Sequence, residues 1–415
     1  MISDALTMFI KNGWPPTLAI LEAIAPVALA LILVSIAWNL WLTYVRAKYF
    51  LSLKYVTLEI KIPKDQFKSP HAMEMVINAF HNTSDGDTFK QYWKGETRPW
   101  WSLELISIEG QVKFVIWLQE KRRNFIESSL YAQFPGIEIR EIPDYTKSVH
   151  FDKKEIAMWA TEFKFTKEDP YPIKTYVDYG LDRDPKEEFK VDPIVPLIEY
   201  LGTIGPNQQV WFQFMIRAHG KDNKKKGFFF KKTDAWKDKA LDLVNEILLR
   251  DSKTKVAGTE NEKGFLVSPK ITRGEEEVVE ALERSITKHP FEVGIRVLYI
   301  AKKDFFDGAN IGAIIGSMKH FSSPHLNGFK PGGPWGGLDF PWQDFNNYRK
   351  NIRMQSALMA YKRRSYFYAP FESTPLIMNS EELATIYHFP GSVSQTPTLE
   401  RVPSKRGDAP SNLPI

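Results

Sequence analysis

Ala23 to Val45 is an unbroken apolar run without one charged side chain, and it constrains everything the rest of the chain can be. At about 1.5 Å per residue it makes a helix of roughly 34 Å, enough to cross the hydrocarbon core of a bilayer. Trp38, Trp41 and Tyr44 gather at its downstream end, where amphipathic rings favour the headgroup layer. Arg46, Lys48 and Lys54 follow at once, whereas the upstream flank sets Lys11 against Asp4 and Glu22. This asymmetry predicts a single-pass transmembrane helix over 23–45. Residues 1–22 then lie outside the cytoplasm, and the bulk of the chain lies on the cytoplasmic side of the inner membrane. A cleaved signal peptide needs a basic start and a small-residue cleavage site. The start Met-Ile-Ser-Asp is not basic, and no such site follows Val45.

The remainder has the length and composition of globular protein, with a quarter of the chain charged and 13% aromatic. The absence of cysteine excludes disulfides, thiolate metal sites and cysteine nucleophiles. The formal net charge is +5, and the segment from Lys221 to Lys232, with six lysines against Asp222, matches that excess by itself. The positive charge is therefore local.

Hydrophobic periodicity predicts an α+β fold. Tyr55 to Ile62, Trp101 to Ile108, Gln111 to Gln119 and Ile137 to Ile142 read as strands, with helices over His71 to His81 and Lys121 to Phe134. The order β-α-β-β-α-β is that of a ferredoxin-like domain, assigned to 50–145. The same order recurs over 150–370: strands Ile156 to Phe165, Val210 to Ala218 and Phe291 to Ala301, helices Asp192 to Ile204 and Phe305 to His320. An insertion, 219–290, carries the lysine segment and two amphipathic helices, Thr233 to Arg250 and Glu275 to His289. Residues 371–415 read as an extended tail with a short helix over 381–387, capped by Asn379 or Ser380 and closed by Pro390-Gly391.

Few motifs point to chemistry. The loop Pro331 to Gly337 is Gly-rich, but no Lys-Ser or Lys-Thr follows its glycines and its prolines remove amide donors, so it reads as structural. Gly308, Gly312 and Gly316 fall at helical spacing, which suits tight packing on the chain's own sheet or a contact with another subunit in a homo-oligomer. The eight histidines are scattered and His320 and His325 lack a third ligand, so no metal or other cofactor is expected. No nucleophile elbow or paired-carboxylate site is visible, and the expectation is a protein that is not an enzyme, with a membrane-bound enzyme of unrecognised site as the alternative. Lys221, Lys224, Lys225, Lys226, Phe228, Phe229, Phe230, Lys231 and Lys232 interleave cations with aromatics. Three readings of that patch stay open: anionic membrane lipid, single-stranded nucleic acid, or a solvated loop. A basic stripe running on through Arg349, Lys350, Arg353, Lys362, Arg363 and Arg364 would favour DNA.

Two stretches carry a resemblance. Arg123 to Ile139, with Trp100 to Gly110 before it, is one, and Asn379-Ser-Glu-Glu-Leu-Ala-Thr-Ile-Tyr-His-Phe-Pro-Gly391 is the other. Both resemble the non-catalytic N-terminal region of membrane-anchored type IV secretion and conjugative DNA-transfer ATPases of the HerA/FtsK-like class, especially those of small-genome candidate-phylum bacteria. The resemblance spans most of 50–415. It implies that the chain stops about where the ATPase domain would begin, so no catalytic residue carries over. It further implies an anchor and adaptor that positions a separately encoded P-loop ATPase or secretion-channel subunits, with Glu381, Glu382, Tyr387 and His388 facing that partner.

Overall fold

In the computed structural model the described residues are 14–63, 68–84, 86–183, 191–220, 222–226, 229–248, 271–336, 340–391, 399 and 401–402. They form two compact units.

The first unit is built on helix α1, Trp14–Ser52, together with the described part of Ser84–Thr97. Its 39 residues extend the apolar run at both ends. From Ile24 onward this is the one helix among the described residues that is long and apolar enough to cross a membrane. Its apolar window has a mean hydropathy of 2.0 and no residue buried inside the chain. Residues 1–13 of the expected N-terminal segment lie outside the described residues.

The second unit is organised by one ten-stranded, mostly antiparallel sheet. Its first half runs β1 (Tyr55–Pro63), α2 (Pro70–Ala79), β2 (Trp100–Ile108), β3 (Gln111–Gln119), α3 (Arg123–Gln133) and β4 (Glu138–Glu141). β1 pairs antiparallel with both β3 and β4, and β2 borders β3, giving the order β4-β1-β3-β2. The second half runs β5 (Ile156–Phe165), α4 (Val195–Gly202), β6 (Gln208–Ala218), β9 (Pro290–Lys302), α7 (Ala309–Ser317) and β10 (Phe329–Gly332), in the order β10-β5-β9-β6. Between β6 and β9 lie β7 (Asp222–Lys226), β8 (Phe229–Thr233), α5 (Ala235–Ile247) and α6 (Arg273–Ile286). The chain then adds α8 (Tyr348–Lys362), β11 (Leu376–Asn379), α9 (Ser380–Ile386) and β12 (Arg401–Val402).

The two halves share one sheet. β2 and β6 pair antiparallel from Trp100 opposite Arg217 to Ile108 opposite Gln209, so the expected separation at 145–150 does not divide the molecule. The expected boundaries differ in two further places. Ser84–Thr97, expected inside the first domain, belongs to the helical unit. Residues 376–389, expected in an extended tail, are built into the body: β11 pairs with β9, and Leu383, Ile386, Tyr387 and Phe389 are buried in the core.

Strand alternation places one set of side chains under helices and the other under α8. Leu58, Ile60, Phe114, Phe214 and Ile295 meet Met73, Val76, Ile126, Leu197, Ile314 and Leu383 on the first face. Ile106, Val115, Trp211 and Leu298 meet Met354, Leu358 and Tyr361 on the second. Each large apolar side chain so buried contributes about 1.5–3 kcal/mol. α5 and α6 pack on each other through Ala240, Val244, Val279 and Leu282.

Local signals explain several ends. Ser69 caps α2 ahead of Pro70, Thr272 and Glu275 form a capping box on α6, and Asn379 and Glu382 form another on α9. The helix expected from Asp192 starts at Val195, with Ile194 as its N-cap residue, because the Asp192 carboxylate accepts from the Ile194 amide ahead of it. Phe125 of α3, apolar as it is, is exposed. Tight packing of Gly308, Gly312 and Gly316 on the sheet is not observed: a Cβ at any of the three would meet nothing within 4 Å.

Candidate functional site: an aromatic clasp on the apolar helix

The aromatic end of α1 is engaged by a segment of its own unit. Residues 86–97 form a clasp around a π-helical turn, Lys90–Lys94, which ends at Gly95 with φ 71°. The Trp41 indole Nε1 donates to the Tyr92 carbonyl at 3.0 Å. Trp41 meets Trp93 edge-on with ring centroids 5.5 Å apart, and Trp38 lies 5.7 Å from Tyr92. Gly95 is pressed against the helix backbone, where a Cβ would stand 2.4 Å from the Val45 carbonyl oxygen. Only glycine combines that approach with a positive φ. Gln91 Nε2 donates to the Gly86 carbonyl at 3.1 Å and closes the loop on itself. The outer surface keeps Phe89 at 63% exposure and Trp93 at 55%. Lys48 and Lys94 of the same unit are exposed, and Lys90 pairs with Asp87 at 3.8 Å.

The residues expected to face a partner are inside the body. Glu381, Glu382, Tyr387 and His388 are all buried, which corrects that expectation. The reason is internal pairing. Glu381 accepts from Arg284 Nε at 3.0 Å and from the Thr175 hydroxyl at 2.6 Å. Glu382 accepts from the amides of Asn379 and Ile173 at 2.8 and 2.9 Å. Burial pushes its carboxyl up to about 8, against the pull of those two amides. The Tyr387 hydroxyl donates to the Val115 carbonyl, and His388 Nε2 lies 3.0 Å from Asp192.

The lysine patch divides. Lys224, Lys225, Lys226, Phe229, Phe230, Lys231 and Lys232 fall on the two-stranded ribbon β7–β8, where Lys224 pairs with Lys231 and Lys225 with Phe230. Lys221 and Phe228 lie outside the described residues. The basic stripe imagined beyond it is broken at Arg364, which is buried and paired with Glu104 and Asp144. Lys362 donates to the Val149 carbonyl.

An exposed ridge precedes and opens α8. Phe340 and Trp342 stack with ring centroids 4.6 Å apart, and Phe345, Tyr348 and Ile352 also face solvent. Arg349 and Lys350 stand beside them, while the Asp344 carboxylate is occupied by their two amides at 2.8 Å each. Sequence periodicity missed both this ridge and the clasp. Exposed and buried aromatics look alike in a sequence, and the density of rings between 340 and 348 was the available signal.

Strongly perturbed groups sit in internal ion clusters. Burial raises Glu292, but His219, Arg217 and Arg98 outweigh it and hold the carboxyl at about 2. Burial likewise raises Glu74, and Lys288, Tyr176 and Ser380 bring it below the usual carboxylate range. Among the described residues there is a surface cleft edged by Lys167, Tyr171, Arg273 and His325 and another edged by His150, Lys154, Asn207 and Asp304. Neither is lined by Glu74, Glu292, Glu382 or Arg364. Among the described residues no group of His, Asp and Glu has the arrangement to hold a metal ion.

A family model described as a domain of unknown function, DUF8128, matches residues 52–401. The chain belongs to the DUF8128 family. No curated protein matches it. The DUF8128 match begins at the last residue of α1, so it takes in the clasp and nearly all of the sheet body.

Proposed function

We propose that this DUF8128 chain is a non-catalytic, single-pass membrane anchor and scaffold. The observation that carries this reading is α1, whose apolar window has no residue buried inside the chain. Leu53 and Lys54 are all that separate it from β1. The clasp favours a retained anchor over a cleaved leader, because Tyr92, Trp93 and Gly95 make contacts that loss of the helix would strip. The basic flank after Tyr44 favours placing the body on the cytoplasmic side of the inner membrane. Each half of the body fits a ferredoxin-like unit: its order, β4-β1-β3-β2 or β10-β5-β9-β6, sets the first strand between the third and the fourth.

In the form that the sequence resemblance suggests, the scaffold positions a P-loop ATPase or channel subunits of a type IV secretion or DNA-transfer machine. With Glu381 to His388 buried, the ridge of Trp342, Phe345, Tyr348 and Arg349 becomes the docking face, since rings and arginine anchor protein interfaces. A second reading draws on the same ridge, whose rings and cations also suit stacking of single-stranded nucleic acid.

The test is purification of the tagged chain from its native membrane, with the N-terminal mass measured. An intact α1 and a stoichiometric P-loop ATPase that Trp342→Ala with Phe345→Ala releases would support the scaffold. Retention of the ATPase by that variant, with loss of oligonucleotide binding, would favour the second reading. A processed N-terminus would overturn the anchor.

A further inference from the structure

The geometry points to a second membrane contact: residues 86–95 lie in the interfacial layer of the bilayer, with Phe89 and Trp93 among the lipid headgroups. This rests on the reading of α1 as a spanning helix and names what the clasp does there. Three observations converge. The clasp grips α1 at Trp38, Trp41 and Val45, the end of the apolar run where aromatic and basic side chains gather. Any bilayer crossed by α1 therefore brings its headgroup layer to the clasp. The clasp also leaves large rings exposed: Phe89 and, beside its contact with Trp41, Trp93 stand four residues apart with more than half of each open. Rings of this kind, apolar in body and in Tyr and Trp polar at the tip, partition to the interface. Finally, Lys48 after the aromatic end of α1 and Lys94 on the clasp are exposed, which suits lipid phosphates. The contact fixes depth, because a clasp held at the interface stops α1 from sliding along the bilayer normal.

The chain has no cysteine, so single labelling sites are clean. Thr88→Cys carries an environment-sensitive fluorophore beside Phe89 and leaves both rings in place. Leu33→Cys reports on the middle of α1, and Glu280→Cys on the exposed outer side of α6. The labelled full-length chain is reconstituted in phosphatidylcholine–phosphatidylglycerol vesicles, and quenching by lipids with a nitroxide near the headgroup or deep in the acyl chain is read. The expected result is headgroup-level quenching at position 88 at least about twofold above position 280, with deep quenching at position 33. Changing Phe89 and Trp93 together to Ala should remove about half of the signal at position 88. Quenching at 88 no greater than at 280, with position 33 still quenched, overturns the interfacial clasp and leaves the anchor standing. A label at 88 that is shielded from water yet unquenched by lipid means that protein covers the clasp, and also overturns it. No quenching at position 33 removes the spanning helix and this inference with it.

Discussion

Arg364 donates from Nε to Glu104 at 3.0 Å inside the body, with 1% and 0% of the two side chains exposed. Ser102, Tyr145 and Gln213 also donate to Glu104, and Arg364 reaches Asp144 as well. Removing one partner of such a pair leaves a bare buried charge. Arg364→Met should therefore cost about 3–5 kcal/mol of stability. Adding Glu104→Gln should restore part of that loss, because the bare carboxylate at 104 is gone and its amide oxygen still accepts from Ser102 and Gln213. Urea unfolding of the detergent-solubilised chain, followed by far-UV circular dichroism, measures both steps.

Glu382 gives stability an unusual slope with pH. Its carboxyl titrates at about 8 in the folded chain against 4.5 for a free glutamate. Between those values the unfolded chain releases the proton and the folded chain keeps it. Stability therefore falls as pH rises through that window, by about 1.4 kcal/mol per pH unit at most, and levels off beyond it. Glu292 acts with the opposite sign: held at about 2, it contributes stability above 4.5 that is lost as pH falls toward 2. Glu382→Gln should abolish the decline between pH 5 and 8. It should also cost about 1 kcal/mol at pH 5, since one amide oxygen cannot serve both backbone donors. Urea midpoints at pH 5, 6.5 and 8 read the slope directly.

These two residues also show what a sequence can and cannot say. Strands such as Gln111–Gln119 and Ile156–Phe165 are legible to the residue, because period-two alternation and length are local properties. Ser102 and Glu104, two apart on one face of β2, look like solvent positions and are instead buried. The countercharge for Glu104 arrives from Arg364, 260 residues away, which no local pattern announces. The edge pairing of β2 with β6 is hidden for the same reason. The short helix after Asn379 is legible from its capping box, but its burial depends on docking against α2 and β3. The clasp and the ridge are harder still. Phe89, Trp93, Trp342 and Phe345 carry the same letters as core residues, and only their exposure sets them apart.

Gly294, in the middle of β9, lies under the ring of Tyr366, where a Cβ would come within 2.5 Å of the ring carbons. That ring is held in place by Lys164 Nζ, which donates to its hydroxyl at 3.1 Å. Gly294→Ala should destabilise the chain by about 1–3 kcal/mol although alanine is the less flexible residue. In a Tyr366→Ala background the clash is gone, and adding Gly294→Ala should cost little more. A double-mutant cycle by urea unfolding measures that non-additivity.

Gly95 tests the clasp without touching its rings. A methyl group there would collide with the Val45 carbonyl, and φ of 71° disfavours any L side chain. Gly95→Ala should therefore cost about 1–3 kcal/mol locally. That exceeds the net worth of the single Trp41–Tyr92 hydrogen bond, about 1 kcal/mol. The loss falls on the junction between helix and loop, so the expected outcome is release of residues 86–97 from α1 while the sheet body stays folded. Hydrogen exchange read peptide by peptide on the reconstituted chain should show faster exchange across 86–97 and unchanged protection in β3 and β9. Trp41→Phe, which deletes the indole donor and keeps an aromatic ring, should give the same pattern at smaller amplitude. Equal protection of 86–97 in Gly95→Ala and the unaltered chain would mean that the clasp is held by something other than its contact with Val45.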